Sequence, residues 1–450
     1  MPASRAREVV FAAALALAAW PGSARALPTG FLLDSVRTGL AQPVALRFAP
    51  DGRLFWIERT TGRVMVLPAS LAGTASVWAT VPVAADGERG PLGLALHAAF
   101  PDSPFVYLYH SNPAPLANRI VRLTDSSGVG VHYTVLRDGL VSLNAYHQSG
   151  RIAFGGDGDL YLTSGDQERP ENAQVAASIR GKLLHFSSLG EPVPCAALGA
   201  TNGVCALGIR NAFGLCFDPA SGTGYFTENG TDCRDKLNVV ASGADYGWSA
   251  ADSCNAHPNE TTAPIWSITP TIAPTGCVVY RASAWPEYDG DLFMGSFNDG
   301  AVRRVHFVAG SRTLVDSVEV FAVVPGGNVL DLAVGPRGDL FFSTLDAIWR
   351  ISRPGALAVT PDAARPLLRA WPSPSSGVIH FTMPGGAAPA RAVMFDAGGR
   401  QIRRWSGPLG ASLDWDGRDG RGRITPPGVY LLRVEESGHV STARAVRMPE

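Results

Sequence analysis

The sequence predicts an all-β protein, a six-bladed β-propeller followed by a small C-terminal β-sandwich. One pattern recurs: an apolar strand, a turn of Pro, Asp or Gly, and a second strand rich in aromatic residues. Asp-Gly turns supply the positive φ that tight hairpins need. No sustained helical periodicity competes with this pattern. The six copies are "LRFAPDGRLFWIE", "LALHAAFPDSPFVYLYH", "RIAFGGDGDLYLTSG", "GLCFDPASGTGYFTENG", "WPEYDGDLFMGSF" and "LAVGPRGDLFFST". A large β-sandwich or two stacked barrels are the alternatives, and the recurrence favours the propeller.

The N-terminal segment has the features of a signal peptide. Arg5 and Arg7 precede the apolar run "VVFAAALALAAW", and "SARA" offers a cleavage pattern at Ala24-x-Ala26. The apolar run is too short to span a bilayer. No cysteine follows the cleavage pattern, so we do not expect a lipoprotein anchor. Residues 1–26 are therefore predicted to direct export, and the mature chain is expected to be secreted or held at the cell surface.

Composition divides the rest of the chain into three parts. The propeller is predicted over residues 27–353, and an Ala/Pro-rich linker over 354–370. Alternating strands with tight turns then predict a small β-sandwich over 371–450. This last segment resembles the immunoglobulin-like (Ig-like) C-terminal modules that many bacterial exported proteins carry as sorting signals. The matching pieces are "WPSPSSGVIHFTMP", "FDAGGRQIRRW", "WDGRDGRGRITPPGVYLLRV" and "RAVRM". The resemblance implies delivery to the outer surface by type IX secretion, with the outer-membrane secretion machinery as a partner. An inert spacer or adhesion domain is the alternative.

Charge and cysteine content narrow the possible partners. A net charge of −1 argues against electrostatic capture of nucleic acid, so no nucleic-acid partner is expected. The six cysteines of this exported chain are expected to pair rather than to catalyse. The predicted pairs are Cys195–Cys205 and Cys233–Cys254. Cys216 and Cys277 lie in apolar runs, where buried free thiols and a bridge are equally compatible with the sequence.

Two motifs near predicted strand entrances could carry chemistry. His147 precedes the strand of "RIAFGGDGDLYLTSG", and an imidazole there suits proton abstraction near neutral pH. Arg210 and Asn211 open the strand of "GLCFDP", where they can present a cation and an amide to an anionic or quinonoid ligand. The simpler alternatives are a histidine that only bonds loop backbone, and an arginine that only bridges to a neighbouring blade.

A third motif offers oxygen ligands. Asn229, Gly230 and Thr231 make a turn whose carbonyls could bind a hard cation, with Asp232 or Asp235 supplying charge. The spacing lacks the dense acidic pattern of an EF-hand loop. Spacing alone therefore gives only a weak indication of a metal.

Together these motifs resemble the glucose/sorbosone dehydrogenase family, soluble aldose sugar dehydrogenases that use pyrroloquinoline quinone (PQQ). The resemblance covers most of residues 30–352. The most specific stretches are "HQSGRIAFGGDGDLYLTSGDQ", "GIRNAFGLCFDP", "TENG…DKLN" and "GADYGW". The resemblance implies a quinone in the axial cleft, a sugar substrate and an external electron acceptor.

The resemblance also implies roles for individual residues. His147 would be the general base for the anomeric hydroxyl. Arg210 would stabilise charge on the reduced quinone, Asn211 would orient it, and Gln167 would lie near it. The carbonyls of the calcium loop would hold Ca²⁺ as a Lewis acid. The residues of that metal site are Gly230 and Thr231, with Asp235 supporting the loop.

Several positions depart from the family pattern. The residue before the catalytic histidine is often acidic, but here it is Tyr146, so the sequence shows no orienting partner for His147 at that position. The family binds the three quinone carboxylates with one lysine and two arginines. The matching positions here are Asn298, Asn328 and Leu330, and none of them is charged.

Two functions therefore stay open. One is a quinone-dependent sugar dehydrogenase, favoured by His147, Arg210 and the calcium loop. The other is a non-catalytic propeller that binds carbohydrate or protein at the cell surface, favoured by the missing cations. A lactonase has no support, because the sequence shows neither a metal-binding carboxylate set nor a nucleophile elbow.

Overall fold

The computed structural model consists of two compact units, Met1–Ala358 and Val359–Glu450. It describes residues 27–324, 327–354, 368–371, 373, 375–382, 389–396, 399–408, 412–436 and 439–449. The predicted signal peptide and residues 355–367 of the predicted linker lie outside the described residues. Within the described part of the chain, no helix is long and apolar enough to cross a membrane.

The described part of the first unit contains six antiparallel sheets of four strands each. The first three sheets in chain order comprise β2 Pro43–Phe48, β3 Leu54–Glu58, β4 Arg63–Leu67 and β5 Ser76–Thr80; β6 Pro91–Leu96, β7 Phe105–Pro113, β8 Leu116–Ser126 and β9 Val129–Leu140; and β10 Ser149–Phe154, β11 Leu160–Ser164, β12 Lys182–Phe186 and β13 Val204–Ala206. The next two comprise β14 Gly214–Phe217, β15 Gly224–Glu228, β16 Asp235–Val239 and β17 Trp266–Ile268; and β18 Pro274–Val279, β19 Leu292–Ser296, β20 Ala301–Phe307 and β21 Val315–Val323. The sixth comprises β1 Leu32–Thr38 with β22 Asp331–Val334, β23 Leu340–Ser343 and β24 Ala347–Ser352.

The six sheets close into a ring. The first strands β2, β6, β10, β14, β18 and β22 each contact the first strands of the two neighbouring sheets, and β22 contacts β2. The last sheet is completed by β1 from the start of the chain, which pairs with β24. Three short 3₁₀ turns lie at Pro170–Asn172, Ala196–Leu198 and Pro286–Tyr288. The axis of the ring is therefore lined by the innermost strand of every sheet.

Five of the six recurring motifs form the hairpins that the sequence predicts. The exception is "WPEYDGDLFMGSF", whose first part was expected to be a strand. Pro286–Tyr288 is a 3₁₀ turn instead, and the strand that pairs with β19 is β18, further upstream. Proline in the first position of this turn has no N–H to give to a ladder, which disfavours a strand there.

The inner strands of a sheet are packed on both faces, as β3, the second strand of the first sheet, shows. The strand β3 is buried along its whole length, and its apolar residues pack partly toward the next sheet and partly toward the sheet that closes the ring. Outer strands such as β9 keep mostly exposed positions. Sheets packed face to face around an axis produce this contrast, because only the outer strand faces solvent.

A single arginine fastens the innermost strands at the axis. Arg151 on β10 is 3% exposed. Its guanidinium donates to the carbonyls of Phe213 at 2.7 Å, Leu330 at 3.0 Å and Leu92 at 3.3 Å, and also to that of Val44. Burial lowers the pKa of Arg151, and the charge of a nearby carboxylate opposes that shift. These carbonyls belong to different sheets, so one side chain ties the ring together beneath the site.

The second unit has two sheets over one apolar core. A three-stranded sheet has the order β25–β26–β29, and a four-stranded sheet has the order β28–β27–β30–β31. The strands are β25 Arg369–Trp371, β26 Ile379–Thr382, β27 Pro389–Asp396, β28 Gln401–Pro408, β29 Ser412–Trp415, β30 Gly428–Glu436 and β31 His439–Arg447. Phe381 and Trp415 from one sheet pack in the same cluster as Met394 and Leu432 from the other. β25 begins inside the range that the sequence assigned to the linker.

The cysteines pair only in part as expected. Cys233 and Cys254 form a disulfide. The predicted Cys195–Cys205 bridge is wrong, because both are free thiols. The sulfur of Cys195 faces the hydroxyl of Ser242 at 3.4 Å, whereas Cys205 packs into an apolar cluster between neighbouring strands.

The remaining two cysteines are free and buried. The sulfurs of Cys216 and Cys277 lie 3.0 Å apart as thiols, which is one of the two arrangements the sequence left open. Burial raises the pKa of the Cys216 thiol well above its ordinary value. Both residues lie in the apolar cluster that joins two neighbouring sheets.

Candidate functional site

A cavity of about 560 Å³ lies at the end of the ring where the innermost strands begin. Its lining residues are Gln42, Val44, Arg59, Gly87, Glu88, Leu92, Arg151, Arg210, Asn211, Phe213, Asn229, Ala273, Thr275, Phe297, Leu330 and Leu345. Its charged groups come from the loops before β6 and β14, from the residue that follows β3, and from β10. The lining from the sheets of β18 and β22 is uncharged. The cavity therefore has a charged side and an apolar side.

His147 forms the partly exposed end of a polar chain: its side chain is 16% exposed, and it is not among the described lining residues of the cavity. Its Nδ1 lies 2.7 Å from Oδ1 of Asp166, and Oδ2 of Asp166 accepts a hydrogen bond from the indole of Trp248 at 2.6 Å. A carboxylate only accepts, so Nδ1 is the donor, and in the neutral imidazole the lone pair lies on Nε2. Among the described residues, none hydrogen-bonds to Nε2. His147 has a φ of 53°, a left-handed conformation that directs its loop away from the strand.

Asp166 is the orienting partner that the sequence did not reveal. Tyr146, at the position where the family often has an acid, is 53% exposed and plays no such part. The facing of the two residues depends on the hairpin register, which shifts at an irregularity between Ser149 and Ile152. Ser149 pairs with Ser164 in the β10–β11 hairpin, so residues two positions beyond each, His147 and Asp166, stand opposite each other. Asp166 has no exposed surface, which fixes the imidazole against it.

Arg210 lies between the cavity and a smaller recess beside it. Its Nη1 donates to the carbonyl of Asn229 at 3.2 Å, and its guanidinium carbon lies 5.5 Å from the ring centre of Trp248. Its Nε is buried without a hydrogen-bond partner, as is the side-chain oxygen of Asn229. Among the described residues, no carboxylate forms an ion pair with this side chain. An unpartnered buried donor at the wall of a cavity is the feature expected where a ligand binds.

Asn211 is bonded on both ends of its amide. Its oxygen accepts from the backbone N–H of Ser149 at 3.2 Å, and its nitrogen donates to Glu88 at 3.3 Å. Glu88 also accepts from the backbone N–H of Gln148 at 3.0 Å. Burial raises the pKa of the Glu88 carboxyl above 4.5. The sequence did not single out Glu88, although it opens the stretch "ERGPLGLALHAAF".

Gln167 is buried next to His147, whose carbonyl accepts from its backbone N–H at 3.3 Å. It is 1% exposed, accepts from the backbone N–H of Leu143 at 2.9 Å and donates to the carbonyl of Val141. It does not belong to the described lining of the cavity. Its amide instead fixes the segment that leads into the His147 loop.

The calcium-loop motif forms a tight turn around Asp235. Oδ1 of Asp235 accepts from the N–H of Gly230 at 2.7 Å, and Oδ2 accepts from the N–H of Ile272 at 2.6 Å and of Ala273 at 2.7 Å. Burial raises the pKa of Asp235. Both oxygens are thus bonded to backbone, so Asp235 supports the loop and is no free metal ligand.

The carbonyls of the loop remain available. Among the described residues, no hydrogen bond reaches the carbonyl oxygen of Gly230 or Thr231. A Cβ at Gly230 would lie 1.9 Å from the carbonyl of Cys233, so only glycine fits there. Lys236 is buried, and its Nζ lies 3.5 Å from Oε2 of Glu228. The turn offers two backbone oxygens and a buried cation close by.

The three positions that would bind carboxylates are uncharged and otherwise engaged. Leu330 is 8% exposed and lines the cavity. The amide of Asn298 donates to the carbonyl of Thr271 at 3.3 Å, and that of Asn328 donates to the carbonyl of Phe297 at 2.8 Å. Both amides shape the loops at the apolar side of the cavity.

The all-β ring and this site define the class of propeller-type sugar dehydrogenases and their relatives. Residues 40–351 match the family model described as Glucose / Sorbosone dehydrogenase, and the chain belongs to that family. It is 27% identical over 350 residues to an aldose sugar dehydrogenase of Escherichia coli, covering 71% of this chain and 91% of that protein. It is 29% identical over 262 residues to quinoprotein glucose dehydrogenase B of Acinetobacter calcoaceticus, covering 50% of this chain and 54% of that protein.

Solved structures show the same relationship. A crystal structure described as a putative oxidoreductase (glucose dehydrogenase) of Thermus thermophilus has a TM-score of 0.64 and 33% identity, and the match covers 72% of this chain and all of that one. The PQQ-bound aldose sugar dehydrogenase of Streptomyces coelicolor has a TM-score of 0.62 and 25% identity, covering 73% of this chain and 99% of that one.

The residues present fit a quinone at one end of the cavity only. The unpartnered Nε of Arg210 and the Asn211 amide lie at the cavity, and the free loop carbonyls line the smaller recess on the other side of Arg210; together they suit a polar dicarbonyl with a bound cation. The opposite end offers Leu330 and Phe297 where carboxylates would need cations. The two ends of the cavity therefore differ in the ligand chemistry they can accept.

Proposed function

We propose that the first unit is a six-bladed propeller and a quinone-dependent oxidoreductase that oxidises the anomeric hydroxyl of aldose sugars to lactones, with His147 as general base. Support comes from the family and from the hydrogen-bonded chain His147–Asp166–Trp248, in which Asp166 and Trp248 are buried; this chain is the observation that carries the proposal. The external electron acceptor regenerates the oxidised quinone.

Proton transfer is assigned to His147. Asp166 holds the proton of the imidazole on Nδ1, so Nε2 can take the proton of the sugar hydroxyl. The Asp166 carboxylate is buried and bonded to the imidazole of His147. It therefore also stabilises the imidazolium that forms when His147 takes the proton. When bound, the quinone supplies the hydride acceptor for the anomeric carbon. The guanidinium of Arg210 would stabilise the negative charge that develops on the reduced quinone.

Positioning is assigned to the remaining polar residues. Asn211 is held by Ser149 and Glu88, so its amide cannot rotate freely. The carbonyls of Gly230 and Thr231 would bind Ca²⁺, and Asp235 fixes the turn that presents them. Gln167 orders the segment before His147.

The test is turnover with a quinone-loaded protein. The full mature chain is incubated with Ca²⁺ and PQQ. The reduction of a dye is then followed with a panel of aldoses. His147→Ala should lose the activity. His306→Ala is the matched control, because His306 also bonds an aspartate, Asp291 at 2.7 Å, but on β20. Equal activity in the two variants would refute the role of His147.

A second function remains, a propeller without catalysis that binds carbohydrate or protein at the cell surface. The observation in its favour is the uncharged set Leu330, Asn298 and Asn328. Sugar binding measured by calorimetry without any dye reduction, at quinone concentrations up to the millimolar range, would favour this function over the first.

We also propose that residues 1–26 direct export and that the second unit is an Ig-like sorting domain recognised by an outer-membrane secretion system. The support is the sequence pattern of both segments and the two sheets packed over one core. Deletion of residues 371–450 should leave the protein in the periplasm, as measured by cell fractionation. Surface delivery of the shortened chain would contradict the sorting role.

A further inference from the structure

We propose that the cavity selects a quinone, or a related planar ligand, whose end away from Arg210 carries no charge. This inference rests on the proposed function and specifies the ligand class of the same site. It depends on how the cations of the lining are used and on what faces the opposite wall.

The first step concerns Arg151, the deepest cation of the lining. All three of its guanidinium nitrogens donate to backbone carbonyls, and the residue is 3% exposed. Four of its five guanidinium N–H groups donate to these carbonyls, which lie in the innermost strands or directly before them. Arg151 therefore closes the floor of the cavity and has little capacity left for a ligand carboxylate.

The second step concerns Arg59. Its Nε donates to the side chain of Gln42 at 2.6 Å, and its Nη1 donates to the carbonyls of Gly87 and Arg89, both at 2.7 Å. The nearby carboxylate of Glu88 interacts with its charge. Nε and Nη1 of Arg59 are thus held by Gln42 and by the loop before β6, and Glu88 lies close to its charge; among the described residues, its Nη2 has no hydrogen-bond partner. Arg210 is the cation with a buried, unpartnered donor, and this suits it to an electron-rich ligand group.

The third step concerns the opposite wall. Phe297, Leu330 and Leu345 supply apolar surface, and Thr275 directs its hydroxyl to the carbonyl of Val329 at 2.8 Å. An anionic group placed there would lose water without gaining a cation, which is costly in a partly enclosed cavity. Each missing charge-assisted hydrogen bond weakens binding by about tenfold or more. The wall consequently favours an aromatic or esterified ligand end.

The experiment compares PQQ with its trimethyl ester, which keeps the quinone and lacks the three charges. Binding to the full mature chain is measured in the presence of Ca²⁺ by quenching of tryptophan fluorescence, since Trp248 lies against Arg210, and by calorimetry. The wild-type protein should bind the ester at least as tightly as the acid. Leu330→Arg should tighten the acid about tenfold and leave the ester unchanged, whereas Leu330→Met should alter neither.

A second variant covers the case in which an arginine at the buried position 330 prevents folding. Asn298 is exposed at the same side, and Asn298→Lys should also favour the acid, with Asn298→Gln as its control. A wild-type preference of about tenfold or more for the acid would overturn the inference and leave the proposed function standing. Failure of both quinones to bind would overturn the proposed function, and the inference with it.

Discussion

Two carboxylates beside Arg210 have the same burial and opposite surroundings. Asp166 and Asp235 both have no exposed surface. Asp166 accepts from the side chains of His147 and Trp248 and from the backbone N–H of Glu168, whereas, among the described residues, the hydrogen bonds of the Asp235 carboxylate come only from the backbone N–H groups of Gly230, Ile272 and Ala273. A buried acid that bonds a titratable side chain can direct proton transfer. A buried acid that bonds only backbone determines the shape of a loop.

The largest effect is expected from Asp166→Asn. Asparagine can donate to Nδ1 of His147, so the imidazole would carry its proton on Nε2 and lose its capacity as a base. The rate of sugar oxidation should fall by about 10²–10⁴-fold, while the melting temperature changes little by comparison. Steady-state dye reduction measures the rate. An activity within about threefold of wild type would show that Asp166 does not direct proton transfer through His147.

Asp235→Asn should act in the opposite way. Its amide nitrogen would face at least one backbone N–H that has lost an acceptor, for instance that of Ile272 or Ala273. The free energy of unfolding should fall by about 3 kcal/mol. Urea unfolding measures this, with exposed Asp232→Asn as the control. Unchanged stability, together with loss of Ca²⁺ affinity alone, would show that Asp235 is a ligand after all.

The disulfide adjoining the same loop should contribute the next effect. Cys233 and Cys254 are separated by 21 residues, and a bridge of that span stabilises by about 2–3 kcal/mol. The double variant Cys233→Ser/Cys254→Ser should therefore melt at a lower temperature. A reductant should lower the melting temperature of the wild type and leave the double variant unaffected. An equal response of both would assign the effect to other thiols.

The smallest effect is expected from Glu88→Gln, and it depends on pH. Burial raises the pKa of Glu88 above 4.5, so the folded protein holds its proton more tightly than the unfolded chain. The stability contributed by that proton is present below pH 4.5 and is lost as the pH rises through the folded pKa. The melting temperature of the variant relative to wild type should therefore increase from about pH 4.5 to about pH 7.

Glu287→Gln is the control of opposite sign. Arg353 lowers the pKa of Glu287, so the wild type gains stability as the pH rises from the folded pKa to the unfolded value of 4.5, and the relative melting temperature of that variant should decrease over this lower range. The melting temperature of Glu88→Gln relative to wild type could instead stay constant with pH. That result would mean that the hydrogen bonds from Gln148 and Asn211 stabilise the charged carboxylate as much as burial destabilises it.

Much of the fold follows from local sequence. Turns rich in Pro, Asp and Gly between apolar strands define five of the six hairpins, because turn chemistry acts over a few residues. The strand β1 could not be predicted to join β24, since that pairing depends on closure of the whole ring. The Cys195–Cys205 bridge failed for a related reason. Nearness in sequence does not determine which way two side chains point.

The site was predictable where it depends on one motif and not where it depends on two. Arg210 and Asn211 line the cavity as their motif indicated. Asp166 required the hairpin register, and Glu88 required the contact between the loop before β6 and the start of β14. The position of Gln167 depends on a hydrogen bond to Leu143, which its own motif does not contain.

The pairing of β1 with β24 also constrains how the molecule can fold. Leu32 pairs with Ser352, so the last sheet joins two segments that are synthesised at opposite ends of the first unit. Contacts of such long sequence separation form late, because the intervening chain must first be ordered. A nascent chain that stops before Ala347 would leave β1 and β23 as open edges able to pair with other chains. Completion of the ring is therefore a single late step, and translation arrest before that step yields an aggregation-prone product.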